Sequence, residues 1–280
     1  MTPASGFASP AAASLHLGVI GNCTIGALVD ARARIVWSCL PRFDGDPVFC
    51  SLLGGADGES GSWAIEIEDL AETRQRYEPN TAVLVTELWD RHGQGLQVVD
   101  FAPRFAARGR FFRPMQIVRR VRALKGTPRI RVRLAPRFHW GSQAPRITSG
   151  SNHVRYVGED LTLRLYTDAP ISHVLSSEPF LLVHEHNFLL GPDETVAGSV
   201  SDVARHFEQE TRAYWRTWSQ RLALPLEWQE AVIRAAITLK LSLFEDTGAI
   251  VAAMTTSIPE APNSQRNWDY RYCWLRDAFF

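Results

Sequence analysis

The chain is 280 residues long, 45% hydrophobic and 21% charged, with 30 basic and 30 acidic side chains and no net charge. That length carries one or two domains, each with its own core. The balanced charge argues against nucleic acid or an anionic membrane surface as the main partner, and no stretch approaches the ~18 continuous apolar residues that a membrane span needs.

Residues 1–14 are uncharged and rich in Ala, Ser and Pro, without the basic start and apolar run of a secretory signal, and are expected to be a loose tail. From Leu17 to about Leu190, β-branched and aromatic residues alternate with polar ones between Gly, Pro, Asp and Asn. This pattern predicts strands near 17–20, 24–29, 34–40, 63–67, 82–90, 96–101, 115–123, 129–134, 153–157, 161–166 and 180–183. Arg91–Gly95 and Gly158–Asp160 are the clearest turns. Many short strands at close spacing predict an antiparallel sandwich.

The period then becomes helical. Val203, Phe207, Tyr214, Trp215 and Trp218 share one face of a helix. Pro225 is placed to open a second, with Val232, Ile233, Ala236, Ile237, Leu241 and Phe244 as its apolar face and Gly248 as its stop. A Thr-, Ser- and Pro-rich loop follows from Thr255 to Asn267, and Trp268–Phe280 is predicted to open a third helix. The expected organisation is a tail (1–14), a β sandwich (15–195), a linker helix (196–222) and the start of an α domain (223–280). The apolar ending Ala278-Phe279-Phe280 predicts a chain cut in mid-helix.

The densest chemistry is in Arg266–Asp277, where twelve residues hold two Trp, two Tyr, three Arg and two Asp. Sugars are bound by such sets, because pyranose faces stack on aromatic rings while hydroxyls take directional bonds from charged groups. The same residues equally make a buried aromatic helix whose Arg–Asp pairs are structural.

Here the chain resembles a known family. Gly248–Glu260 followed by Arg266–Ala278 resembles glycoside hydrolase family 15, which contains glucoamylases and bacterial trehalase-like enzymes. Ile20-Gly21-Asn22-Cys23, Ala27-Leu28-Val29 and Trp37–Asp44 resemble the trehalase-like N-terminal domain of bacterial members, with Asn22 where those often carry Asp. The resemblance implies an α+β multidomain chain: an antiparallel β-sandwich, then the first helices of a truncated (α/α)6 barrel. It implies inverting hydrolysis of α-linked glucose, as trehalose or a malto-oligosaccharide, by two carboxylates set apart for a water. Both would lie beyond residue 280, so no catalytic residue is assigned and the chain alone is expected to be inactive. The carried-over sugar binders are Tyr270 (stacking), Trp274 (wall), and Arg276 with Asp277 (hydroxyl clamp). No cofactor or metal is expected. The rival readings are a non-catalytic sugar-binding module and an interaction domain.

Other features have plainer readings. Pro41–Asp44 reads as a tight turn capped by Asp44, ahead of a loop touching sugar. The arginines alternating through Arg129–Leu134 read as one sheet face paired with acids elsewhere, ahead of an anion groove. His184-Glu185-His186 reads as a surface strand edge, ahead of a metal half-site. Glu227, Glu230, Glu245 and Asp246 read as helix-end or solvent-face carboxylates. Cys23, Cys39, Cys50 and Cys273 lack zinc spacing and read as thiols in a reducing cytoplasm.

Overall fold

A computed structural model describes residues 6, 15–54, 60–261 and 263–279, with the backbone alone at residue 277. The tail expected over 1–14 lies, Gly6 apart, outside the described residues.

Two antiparallel sheets face each other. The first, seven-stranded among the described residues, contains β1 (Leu17–Gly21), β2 (Gly26–Asp30), β3 (Arg34–Cys39), β4 (Pro47–Phe49), β5 (Ser62–Ile67), β12 (Arg129–Ala135) and β16 (Phe180–Leu181). The second, eight-stranded, contains β6 (Leu70–Tyr77), β7 (Leu84–Asp90), β8 (Gly95–Phe101), β11 (Ile117–Lys125), β13 (Arg146–Ser149), β14 (His153–Val157), β15 (Thr162–Thr167) and β17 (His186–Pro192). A small hairpin, β9 (Phe105–Ala107) and β10 (Arg110–Phe112), stands between β8 and β11.

The sandwich core takes Ile35, Trp63, Ile65 and Val132 from the first sheet and Leu88, Leu96, Val98, Ile117 and Phe188 from the second. Inside it lies a fully buried ion pair. Arg119 donates from Nε to Asp100 at 2.8 Å, and from its Nη atoms to the carbonyls of Trp63 and Ala33 on the opposite sheet. A buried charge is tolerated only with such complete pairing.

The outer face of the second sheet is also covered. Helix α2 (Val200–Ser219), which follows the single-turn α1 (Ile171–Ser176), lays Val200 and Ala204 on Val85, Val99, Phe101 and Leu189. Hence every residue of β8 is buried, on both faces of the sheet. The Ser199 hydroxyl accepts from Asp202 N at 3.1 Å and fixes the start of α2.

The C-terminal elements differ from expectation. α3 spans Gln229–Leu241, and Pro225 does not open it; Trp228 sits before it at φ 61°, so the chain turns between the two. Gly248 does not end it either. After Leu241 the chain makes a hairpin of β18 (Leu243–Phe244) and β19 (Ala249–Ile250), with Gly248 at φ 75° in its turn. Trp268–Tyr270 is non-helical with a β-bridge at Asp269, the chain bends at Arg271 and Tyr272, and only Leu275–Phe279 (α4) is helical. The cause is backbone pairing: Ala252 N, Ala253 N and Ser257 N donate to the carbonyls of Tyr272, Tyr270 and Trp268.

His186 opens β17, a central strand between β15 and β11, so the His184–His186 stretch is no sheet edge. Burial of both flanks, invisible to local pattern, makes the difference. Glu185 pairs with Arg120, and His186 Nδ1 lies 3.5 Å from Asp168. Arg131 and Arg133 share Glu66, and Arg129 meets Glu68, which is the paired sheet face read from the sequence. Cys23, Cys39 and Cys50 are buried, and Cys273 is exposed. Among the described residues, no helix is long and apolar enough to cross a membrane.

Candidate functional site

The aromatic run is presented by the non-helical segment 268–274 that leads into α4. Its rings find one another locally. Tyr270 and Trp274 stack with centroids 5.5 Å apart and planes at 28°. Trp268 meets the edge of Trp274 at 6.4 Å. The Arg276 guanidinium lies 5.6 Å above the Trp274 ring. The Trp274 indole N–H is committed to Asp269 O at 3.2 Å, which sets its plane. The structure thus brings Tyr270, Trp274 and Arg276 together. The side chain of Asp277 lies outside the described residues.

Two further groups complete the cluster. Tyr270 donates its hydroxyl to Glu260, and that bond to a carboxylate raises the phenol above its usual range. Trp268 N takes the Ser257 hydroxyl as acceptor at 2.8 Å. The loop 255–261 therefore backs the aromatic face.

What anchors the cluster is Arg271, which the sequence did not single out. It is 4% exposed. Its Nε and Nη2 form a fork on Asp269 at 3.0 and 2.7 Å, its Nη1 donates to Gly45 O, and its plane lies 4.7 Å from the Trp140 ring centroid. Burial pushes the Asp269 carboxyl up, but the Arg271 hydrogen bonds outweigh it and hold the group below the ordinary carboxylate range. Burial likewise drives the neighbouring Cys39 thiol up to about 11, so it stays protonated. This pair is the structural Arg–Asp pair weighed as the plainer reading; Tyr270, Trp274 and Arg276 are not consumed by it.

Gly45 closes the turn after Pro41–Asp44, where its N–H donates to Arg42 O at 3.0 Å and Arg42 forks onto Asp44. The loop is a tight turn and also the seat of the C-terminal motif. Trp37 adds a second tie, donating its indole N–H to Met254 O at 2.7 Å.

A third tie is Glu245, expected to lie at a helix end or on a solvent face. Its carboxylate pairs with Arg104 Nη1 at 2.6 Å, and that bond holds it below the usual carboxylate range. Arg104, 1% exposed, also donates to Asn22 O and lies 4.8 Å from the Tyr214 ring centroid. It links the first hairpin, α2 and the β18–β19 turn. Asn22 uses both amide hydrogens, on Pro103 O and Pro114 O at 3.1 and 2.7 Å, which an aspartate in its place has no means to do. Arg104 is far in sequence from Glu245, and Arg271, though next to its acid, is held by the distant Gly45 carbonyl, so neither hub shows its long-range partner locally.

The model of the family described as "Trehalase-like, N-terminal" matches residues 8–178, and that described as "Glycosyl hydrolases family 15" matches residues 228–280. The chain belongs to the trehalase-like N-terminal family, joined to a family 15 glycosyl hydrolase segment. Among similar curated proteins are a trehalase of Thermoplasma volcanium, 30% identical over 94% of this chain and 43% of its own length, and one of Thermoplasma acidophilum, 30% identical over 90% and 44%. A trehalase of Mycolicibacterium smegmatis is 28% identical over 94% of this chain and 43% of its own. The chain thus spans less than half the length of these relatives. No solved structure matches it significantly. The aromatic cluster and Arg271 fall in the segment matched by the glycosyl hydrolase model, and Gly45, which accepts from Arg271, in the segment matched by the trehalase-like model.

Proposed function

We propose that this chain supplies the β sandwich (15–195), the linker helix (196–222) and the opening of the (α/α)6 barrel (223–280) of an inverting α-glucoside hydrolase acting on trehalose in the cytoplasm. The observation that carries the reading is the Tyr270–Trp274 stack with Arg276 on its face, a flat apolar platform edged by a cation. A glucose ring lies on such a platform, while Arg276 and Asp277 take its hydroxyls. Trehalose is preferred over a malto-oligosaccharide because the similar proteins are named trehalases. On this reading the acid and the base come from residues outside the chain.

The test is glucose release from trehalose and from maltose, by the 280-residue chain and by a longer polypeptide carrying it. The chain alone is expected to release none, and the longer form to cleave trehalose faster than maltose. Turnover by the 280-residue chain would overturn the division of labour. A longer form that cleaves neither sugar would overturn the activity.

A further inference from the structure

A second recess lies on the other side of the sandwich and shares no residue with the Tyr270–Trp274 cluster. It is a groove of about 600 Å³ between β15, β17, the tip of β10 and the first turns of α2. That volume is in the range of small-ligand sites. Its walls include Phe112, Phe207 and the 6%-exposed Tyr166.

Gln116 is the telling group. It lines the groove, is 8% exposed, and its side-chain amide has no hydrogen-bond partner among the described residues. A Cβ on Gly191 would sit 3.2 Å from Gln116 Cγ, so the bare glycine lets the amide lie flat on β17. The residue is buried, but its amide reaches the groove, where water or a ligand fills its bonds. The Tyr166 hydroxyl accepts from Arg164 Nη1 at 2.7 Å, which leaves its own hydrogen to donate. His206 adds an imidazole from α2.

The charges argue against an anionic occupant. The Arg164 guanidinium in the lining is engaged by Asp193, whose carboxyl is held low by bonds from Arg155 and then Arg164. Asp202 is taken by Ser199 and Arg205. An anion therefore meets no uncompensated cation, whereas a ligand with apolar faces and neutral hydroxyls matches both the rings and the idle amide. We infer that this groove is a second saccharide site, binding a neutral glucoside away from the barrel motif.

The test is an amide-resolved NMR titration of the 280-residue chain with maltose and with trehalose, made in a Trp274→Ala background so that the C-terminal cluster does not report. Resonances of Gln116, Tyr166 and His206 are expected to shift saturably with a millimolar Kd. Gln116→Leu and His206→Ala are each expected to weaken binding about two- to tenfold, the worth of one neutral hydrogen bond. A melting curve checks each variant. Should Gln116→Leu melt early, His206→Ala, on the exposed side of α2, decides alone. Groove resonances that stay still, or affinity untouched by the decisive variant, would overturn the inference. If the unmodified chain binds sugar and the Trp274→Ala background does not, the sugar sits on the C-terminal cluster, and only the groove reading falls.

Discussion

Arg271 and Gly45, 226 residues apart in sequence, are joined by a hydrogen bond from the guanidinium to the glycine carbonyl. Because the same guanidinium forks onto Asp269, one side chain sets both the conformation of the aromatic run and its seat on the sandwich.

Arg271→Ala is expected to lower stability by about 3 kcal/mol. This is the low end of the cost of breaking a buried pair, because the Asp269 side chain is 34% exposed. Arg271→Lys should not restore it, since an ammonium offers no fork. Thermal melts and limited proteolysis check this. Cleavage is expected after about residue 222, with the sandwich surviving. A lysine variant that behaves as the parent would show that the fork is dispensable.

Acid should release the C-terminal segment. Glu245 and Asp269 both have folded pKa values depressed below their unfolded ones, near 4. Their stabilisation is therefore complete above the unfolded values and is lost as pH falls through the folded ones, in a window of roughly pH 5 to 3. Tryptophan fluorescence between pH 7 and 3 should show the step, and Glu245→Gln should flatten it. An unchanged step in both Glu245→Gln and Asp269→Asn would place the linkage elsewhere.

In the longer polypeptide, Asp277→Asn keeps the shape of the proposed clamp but removes a charge-assisted bond worth roughly 1.5–3 kcal/mol. A loss in kcat/KM on the order of tenfold to more than a hundredfold is expected, with the melting temperature little changed. Early melting with normal kcat/KM in the folded fraction would make the segment scaffold. Trp274→Ala should lose trehalose affinity together with kcat/KM.

Leu226, Trp228, Leu275 and Phe279 are 98%, 79%, 88% and 83% exposed. Large apolar side chains left at this exposure bind dyes and one another. Replacing Leu226 and Leu275 with Ser is expected to reduce ANS fluorescence and self-association without lowering the melting temperature. Unchanged dye binding would place the sticky surface elsewhere.

Much of this was legible in the sequence. The sandwich was, because most strands carry their alternation in Val, Ile, Leu and aromatic residues, and α2 was, because Val203, Phe207, Trp215 and Trp218 recur at helical spacing. Leu70–Tyr77 escaped because it is an edge strand with Glu72, Arg74 and Arg76 in its middle, a pattern that reads as loop. β8 was read at 96–101, but that both of its faces are covered was not. The site was half legible. Tyr270, Trp274 and Arg276, which the resemblance pointed to, are close in sequence and meet in space. The Arg271–Asp269 pair was within reach of the sequence, but the bond from Arg271 to Gly45 and the pair of Arg104 with Glu245 cross most of the chain, and nothing near them announces those partners.

The ties from Trp37 to Met254 and from Cys39 to Arg271 span 217 and 232 residues. During synthesis at ~5–20 residues per second, β3 leaves the ribosome about ten seconds to most of a minute before the groups that cap its end exist. For that interval the indole of Trp37 and the carbonyl of Gly45 have water or a chaperone as partners. Docking of the C-terminal motif on the sandwich begins only once that motif emerges, so its rate should be limited by chain delivery more than by the sheets.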